Sequence, residues 1–387
     1  MKKSLFLAMA AVALLSGCSK DDGGITIDNG NGNEGGSVTV DPDAVMVQLG
    51  ARGITSETTP QTRASIDEWN DTPVGIYGVA KAGVTAWAEA DNSLILNNAA
   101  GTIAKDATAI VFANNMKYYY PMQNSYFYSF YGYSPYSGTG AADTNAPTNN
   151  GSKITKEFTM DGTQDILWGM AVTDPQPSKI TGETGTTYDG YNAKFFRKTA
   201  AGTPSLTFKH ALTRLKFAIV QGDGYDTAQD LKVTGISITN APTTAVLTIA
   251  DLANLTPTTP QLVSGADKTA EYSLKDASGN AITSVSVNNA GTTSATATEI
   301  GESIMLPADA VDAEGYYTAK ISLTAAPGIF TGGTYTSNVK FKLNTGVFEA
   351  GKSYKINLTV YSLSEIKLEA TLTPWDTATP DTDIEIN

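Results

Sequence analysis

Cys18 is the single cysteine and His210 the single histidine in a chain of 387 residues. One thiol allows no internal disulfide and no thiolate metal site, and one imidazole excludes a multi-histidine metal site. It leaves His210 as the sole candidate imidazole base. His210 shares the face of a strand-like pattern with Leu206, Phe208 and Leu212, and no serine in a nucleophile-elbow context accompanies it, so it reads as a satisfied, partly buried side chain. Aspartate and glutamate number 39, but the separation of any pair suited to glycoside hydrolysis is not legible in a sequence. The acidic and amide residues near the N-terminus lack the ordered spacing and closing glutamate of a calcium loop. No glycine cluster follows the strand-to-helix pattern that cradles phosphate. No catalytic residue, metal site or cofactor is assigned, and the expectation is a protein without enzymatic activity.

The surroundings of Cys18 give its thiol a different task. Met1, Lys2 and Lys3 form a short basic start, Leu5 to Leu15 is an apolar run, and Ser16 and Gly17 are small. The run is too short to span a hydrocarbon core of ~30 Å, so residues 1–17 read as a secretory signal peptide. The ending Leu15-Ser16-Gly17-Cys18 looks like a bacterial lipobox, in which the thiol is lipidated and becomes the mature N-terminus. Residues 18–40, nearly devoid of large apolar side chains, then read as a lipidated flexible tether.

The net charge of −13 argues against nucleic acid as a partner. The remaining chain is long enough for two domains, and no long segment sustains a 3.6-residue apolar period. Val45, Val47 and Leu49 alternate with period two, and residues 73–79 form a second strand-like run. Between them, residues 55–64 are a polar loop containing Pro60 and Arg63. From Leu206 to Phe217 the apolar residues switch from even to odd positions, which a β-bulge near Thr213 and Arg214 would reconcile. Clean alternation returns at Tyr317–Leu323, Val339–Leu343 and Tyr354–Val360. Repeated short strands with turns between them imply an all-β sandwich architecture. A change of texture near residue 203 divides the chain into domains of 41–203 and 204–387.

Residues 118–136, YYYPMQNSYFYSFYGYSPY, are the most aromatic stretch. Ring faces of Tyr126, Tyr128 and Tyr131 have the chemistry to stack on a sugar. Tyr126, Tyr128 and Phe130 point one way and Phe127 and Tyr131 the other, a two-faced pattern that favours a strand buried between layers. At the other end, Ile366, Leu368, Ala370 and Leu372 alternate with polar residues, Pro374 and Trp375 interrupt, and Ile384 and Ile386 alternate again. Such strands are either an ordinary final hairpin or a segment able to complete another subunit's sheet, and periodicity alone supports both.

These patterns, taken in order, resemble those of the fimbrillin-like lipoproteins, the type V pilus subunits that include the Mfa-like and FimA-like pilins. The resemblance rests on the lipobox at Cys18; Thr62-Arg63-Ala64 ahead of Trp69 and the Val74–Tyr77 strand; Ser134-Pro135-Tyr136; Phe208–Phe217; Phe348–Tyr354; and Pro374-Trp375. It covers essentially the whole chain. Lys20, Asp21 and Asp22 also look like the signal that sends such lipoproteins to the outer face of the outer membrane.

The resemblance implies two transthyretin-like β-sandwich domains in tandem and a structural role in a cell-surface fimbria. It implies a lipidated outer-membrane precursor, and an arginine-specific protease that cuts after an N-terminal strand. Here that strand is Val45, Val47 and Leu49, and the cut falls after Arg63, with Arg52 as the second position. Loss of the strand opens a groove for a neighbouring subunit's C-terminal donor, about residues 363–387, through Ile366, Leu368, Leu372, Ile384 and Ile386. Other pilin subunits are the expected partners, in a homo- or heteropolymer. The competing expectation is a tip adhesin or a standalone surface lipoprotein that binds a host glycan or protein through the tyrosines.

Overall fold

A computed structural model describes residues 44–53, 69–81, 83–122, 126–138, 145–171, 190–198, 203–330, 333–343 and 346–373. Val45 onward forms one compact unit. Among the described residues its elements are strands, apart from single-turn 3-10 segments and one short helix, α1 (Ala193–Lys198).

The first half contributes β1 (Gly50–Arg52), β2 (Thr72–Ala80), β3 (Leu94–Ile103), β4 (Val111–Phe112), β5 (Tyr128–Ser134), β6 (Thr148–Asn149), β7 (Lys153–Thr159) and β8 (Leu167–Ala171). The second contributes β9 (Ser205–His210), β10 (Thr213–Gln221), β11 (Lys232–Ala241), β12 (Thr244–Asp251), β13 (Gln261–Ser264), β14 (Ala270–Ser273) and β15 (Val285–Ser286). It closes with β16 (Thr298–Leu306), β17 (Tyr317–Thr324), β18 (Tyr335–Phe341), β19 (Ser353–Val360) and β20 (Ile366–Thr373).

Four sheets result. The largest has the order β1-β9-β8-β5-β2-β3-β4; the others are β16-β10-β19-β20, β14-β11-β17-β18 (with β15 beside β11) and β13-β12-β7-β6. The first sheet is apolar on both faces, which is why its central strand β5 reads as continuously aromatic. Phe130, Ile76, Leu206 and Phe208 sit in one buried cluster, with Val47 and Leu49. Tyr131, Tyr133 and Trp168 face another cluster, which runs on into the residues between the β10 and β17 sheets. The small sheet draws β6 and β7 from the first half and β12 and β13 from the second. Trp168 Nε1 donates to Ile249 O at 2.9 Å and ties it to the first sheet.

The sandwich of the second half packs β10 and β19 against β11 and β17. Leu215, Phe217, Ile356 and Leu358 meet Ile236, Ile238, Ile321 and Leu323, all buried. Strict alternation along β17, buried at every other residue, is the direct cause.

The bulge expected near Thr213 and Arg214 needs correction. The chain leaves the first sheet after His210 and enters another at Thr213, so the change of parity at 206–217 marks a change of sheet within a two-residue step. A register shift does occur further on, between Leu215 and Phe217, against β16. The strand that follows the expected boundary at 203 pairs within the first sheet, β9 with β8.

Glycines admit the rings of the first sheet. A Cβ on Gly132 would lie 2.8 Å from Leu206 Cδ2 and 2.9 Å from Phe208 Cζ, and one on Gly169 would lie 2.8 Å from the Phe208 ring. Gly132→Ala is therefore expected to destabilise the protein by about 1–3 kcal/mol through overpacking. Urea denaturation of the purified variant measures this; an unchanged midpoint would show that the rings can shift.

Candidate functional site: an inserted edge segment

Residues 45–52 lie between two parts of the chain far away in sequence. On one side β1 pairs in parallel with β9, Gly50 with Ser205 and Arg52 with Thr207. On the other, Val47 N donates to Tyr118 O at 2.8 Å, Tyr120 N to Val45 O at 2.9 Å, Ile110 N to Leu49 O at 2.9 Å and Ala51 N to Thr108 O at 2.9 Å. Since β4 (Val111–Phe112) follows at once and pairs with β3, the segment bridges the two margins of the first sheet. It is the piece that closes the sheet on itself.

Its side chains alternate as the sequence requires. Val47, Leu49 and Ala51 are each 2% exposed, whereas Gln48 and Arg52 face out. Burying Val47 and Leu49 is worth roughly 1.5–3 kcal/mol each, and the main-chain bonds hold the segment in register. Outside this seam runs an open groove of about 460 Å³, lined by Met46, Leu49, Ile110, Val111, Phe112 and Met116. Met46, Val111 and Met116 are among the large apolar side chains left exposed. Tyr120, two residues past the Tyr118 contact, is buried among Tyr128, Phe130 and Phe196, and that burial pushes its hydroxyl well above the usual tyrosine range.

Arg52 is the last residue of β1, with Nε donating to Thr207 Oγ1 at 2.9 Å. A backbone paired in a ladder is a poor protease substrate unless it first opens. Arg63 falls outside the described residues, as do Cys18, Ile384 and Ile386. Of the other residues expected to act as a donor, Ile366, Leu368 and Leu372 lie on β20, which pairs with β19 along its whole length: Ile366 with Val360, Leu368 with Leu358, Leu372 with Tyr354. Leu368 is fully buried in the chain's own core.

The tyrosines singled out for stacking require a correction. Tyr128 and Tyr131 are both 0% exposed, so neither ring offers a face to a sugar. Tyr128 Oη donates to Asn92 O and Tyr131 Oη to Leu255 O, both at 2.6 Å. These hydroxyls fasten loops to the sheet, as buried tyrosines commonly do. Tyr126 is half-buried beside the same cluster.

His210 is buried with Asp165, its Nδ1 2.8 Å from Asp165 Oδ2 and both side chains 1% exposed. His210 ends β9, immediately before the two-residue step in which the chain crosses to the next sheet. Gly351 N donates to Leu212 O at 2.8 Å, Arg214 N to Lys352 O at 2.9 Å, Thr213 Oγ1 to Glu349 O at 2.8 Å and Arg214 Nε to Ser353 Oγ at 3.0 Å. The two sequence patterns Phe208–Phe217 and Phe348–Tyr354 are thus one structural joint. Sequence reasoning missed Asp165; a carboxylate next to the apolar run at 166–168 was the available signal. Among the described residues no cluster of histidine, cysteine and acidic side chains could hold a metal ion.

The model of a family described as fimbrillin-like matches residues 62–375. No curated protein sequence matches. Among solved structures, the chain is similar to a fimbrial protein from Bacteroides vulgatus ATCC 8482, with 14% identity over 86% of this chain and 99% of that one and a TM-score of 0.49. It is also similar to the fimbrial anchor protein Mfa2 from Porphyromonas gingivalis, with 10% identity over 89% and 99% and a TM-score of 0.32. A fimbrial assembly protein from Parabacteroides distasonis ATCC 8503 shares 9% identity over 85% and 96%, with a TM-score of 0.31.

Proposed function

The chain belongs to the fimbrillin-like family of cell-surface fimbriae, and from that premise we propose that it is a stalk subunit assembled by strand exchange. The single observation that carries the proposal is the seating of residues 45–52 between β9 and residues 108–120. A segment that closes a sheet in this way leaves two unsatisfied backbone margins and a vacant apolar row when it departs. Exposed margins of that kind pair readily with another chain.

In this reading the precursor is carried to the outer membrane by a lipid on Cys18. An arginine-specific protease then cuts after Arg63, in the polar loop joining the segment to β2. Arg52 suits the cut less well, being held in β1. The first strand leaves with the tether and lipid, and a neighbouring subunit's C-terminal residues replace Val45, Val47 and Leu49 with their own alternating apolar row. This reading favours Ile384 and Ile386 as donors. The residues of β20 would first have to give up eight register positions with β19 and the burial of Leu368. Other pilin subunits are the partners, and the assembled fimbria is the location.

Purified precursor treated with an arginine-specific protease should form ladders and filaments, whereas the Arg63→Ala precursor should stay monomeric. Deleting residues 374–387 should abolish assembly while every strand from β1 to β20 still forms. Deleting 363–387 removes β20 too, and should cost stability as well as assembly. Filaments from the 374–387 deletion would refute the donor assignment, and normal filaments from Arg63→Ala would refute the cut.

A further inference from the structure

The two rims of the second sandwich are finished differently. At the β14/β16 rim the sheets are stitched together: Glu302 N donates to Lys275 O at 2.6 Å, and Gly301 is packed against Lys275 and Leu274. At the other rim, among the described residues, no strand pairs with the outer edge of β18 or of β20. Tyr335, Val339, Leu343, Leu363 and Ile366 point into the core there but are only partly buried. Thr336, Asn338 and Lys340 are exposed along β18 itself. The result is a seven-residue strand with an open backbone edge above an apolar seam.

What fits this rim is set by where β20 stops. Thr373, its last residue, is opposite Ser353, and Phe341, the last residue of β18, is opposite Tyr317. The two ends converge on one aromatic cluster. The ring centroids of Tyr317 and Phe341 are 5.8 Å apart, those of Tyr317 and Phe348 4.6 Å, and those of Phe348 and Tyr354 4.9 Å. β18 and β20 therefore run the same way, and the chain leaves β20 at the C-terminal end of β18. A strand that turns back from there runs antiparallel to β18, the arrangement that needs only a short connection. Residues 374–381, with a proline at each of positions 374 and 380, supply the connection. Residues 382–387 extend about 20 Å at ~3.3 Å per residue, close to the length of β18. In Asp383-Ile384-Glu385-Ile386 apolar and acidic side chains alternate, so one face suits the seam. The other face meets a rim carrying Lys342, beside Lys340, which is already paired with Asp312 at 2.8 Å.

We propose that residues 382–387 of the same chain dock as an antiparallel strand on the free edge of β18, with Ile384 and Ile386 closing the seam. The docking does not require strand exchange between subunits. Its consequence for assembly does rest on that reading: an unassembled subunit would store its donor on its own second sandwich.

Hydrogen exchange on the uncut full-length chain tests the docking independently of cleavage and polymerisation. Deleting residues 382–387 should make the outward amides of β18 exchange about tenfold faster or more, with β11 and β17 amides unchanged. Protection should not depend on protein concentration. Unchanged exchange in β18 would overturn the proposal, and so would protection that rises with concentration, which would assign the edge to a second copy. In a Cys18→Ser background, which leaves no other thiol, Asn338→Cys with Glu385→Cys should oxidise to a monomeric disulfide. Cross-linking only between separately substituted chains would overturn docking within one chain.

Discussion

If assembly proceeds by the proposed strand exchange, Leu49→Asp is expected to loosen the first sheet and remove the need for proteolysis. Leu49 is 2% exposed between β9 and Ile110, and its replacement loses roughly 1.5–3 kcal/mol of apolar burial. The new carboxyl must in addition be desolvated inside an apolar cluster, so the total loss should exceed about 3 kcal/mol. Most of it falls on the edge segment, because the remaining strands of the sheet keep their own ladders. The uncut variant should therefore show a lowered thermal midpoint and also form filaments without protease. Leu49→Ala, which leaves a cavity but no charge, should lose about 2–5 kcal/mol and assemble slowly or not at all before cleavage. A Leu49→Asp precursor that is destabilised yet strictly monomeric would limit residues 45–52 to a structural role.

Asp165→Ala should be among the most damaging single substitutions outside that segment. It leaves His210 at 1% exposure without the carboxylate 2.8 Å from its Nδ1. Removing one partner of a buried hydrogen bond typically costs about 1–3 kcal/mol, and more where a charge is involved, whereas replacing both partners with apolar groups of similar shape is often close to neutral. Asp165→Ala combined with His210→Leu should thus recover much of the loss. Urea denaturation of the two single variants and the double variant closes the cycle. Simple additivity would mean that the two side chains do not act as a pair. The damage should spread to the second sandwich, since a Cβ on Gly351 would already stand only 3.3 Å from His210 O, and Gly351 N holds Leu212 O.

Local alternation was legible and carried far. The rows Tyr317–Leu323, Tyr354–Val360 and Ile366–Leu372 each became a strand, the first buried at every other residue, and the aromatics of 128–131 sit in a sheet buried on both sides. What the sequence could not display is pairing across long distances. Nothing near Val45 says that its strand ends beside Ser205 in parallel, because a ladder partner leaves no mark on the apolar period of either strand. The parity switch at 206–217 was visible, but a bulge and a change of sheet produce the same pattern. Tyr128 and Tyr131 show a similar limit: an aromatic row looks alike whether its faces are open or covered, and only the neighbouring layers decide.

The small sheet joining β7 to β12 has a mechanical consequence. Its ladder runs from Thr159–Thr244 to Lys153–Asp251 and is anchored at one side by the Trp168 indole. Tension arriving at the margin of the first sheet and leaving through β20 is carried in part by the short step at Ala211–Leu212 and in part by this cross-strap. Because the strap ties the halves side by side, traction on the step must also slide β7 along β12, loading several bonds at once. A fibre built from such subunits would yield at a rate set by rupture of that strap, so its endurance under flow is a matter of unfolding kinetics more than of equilibrium stability.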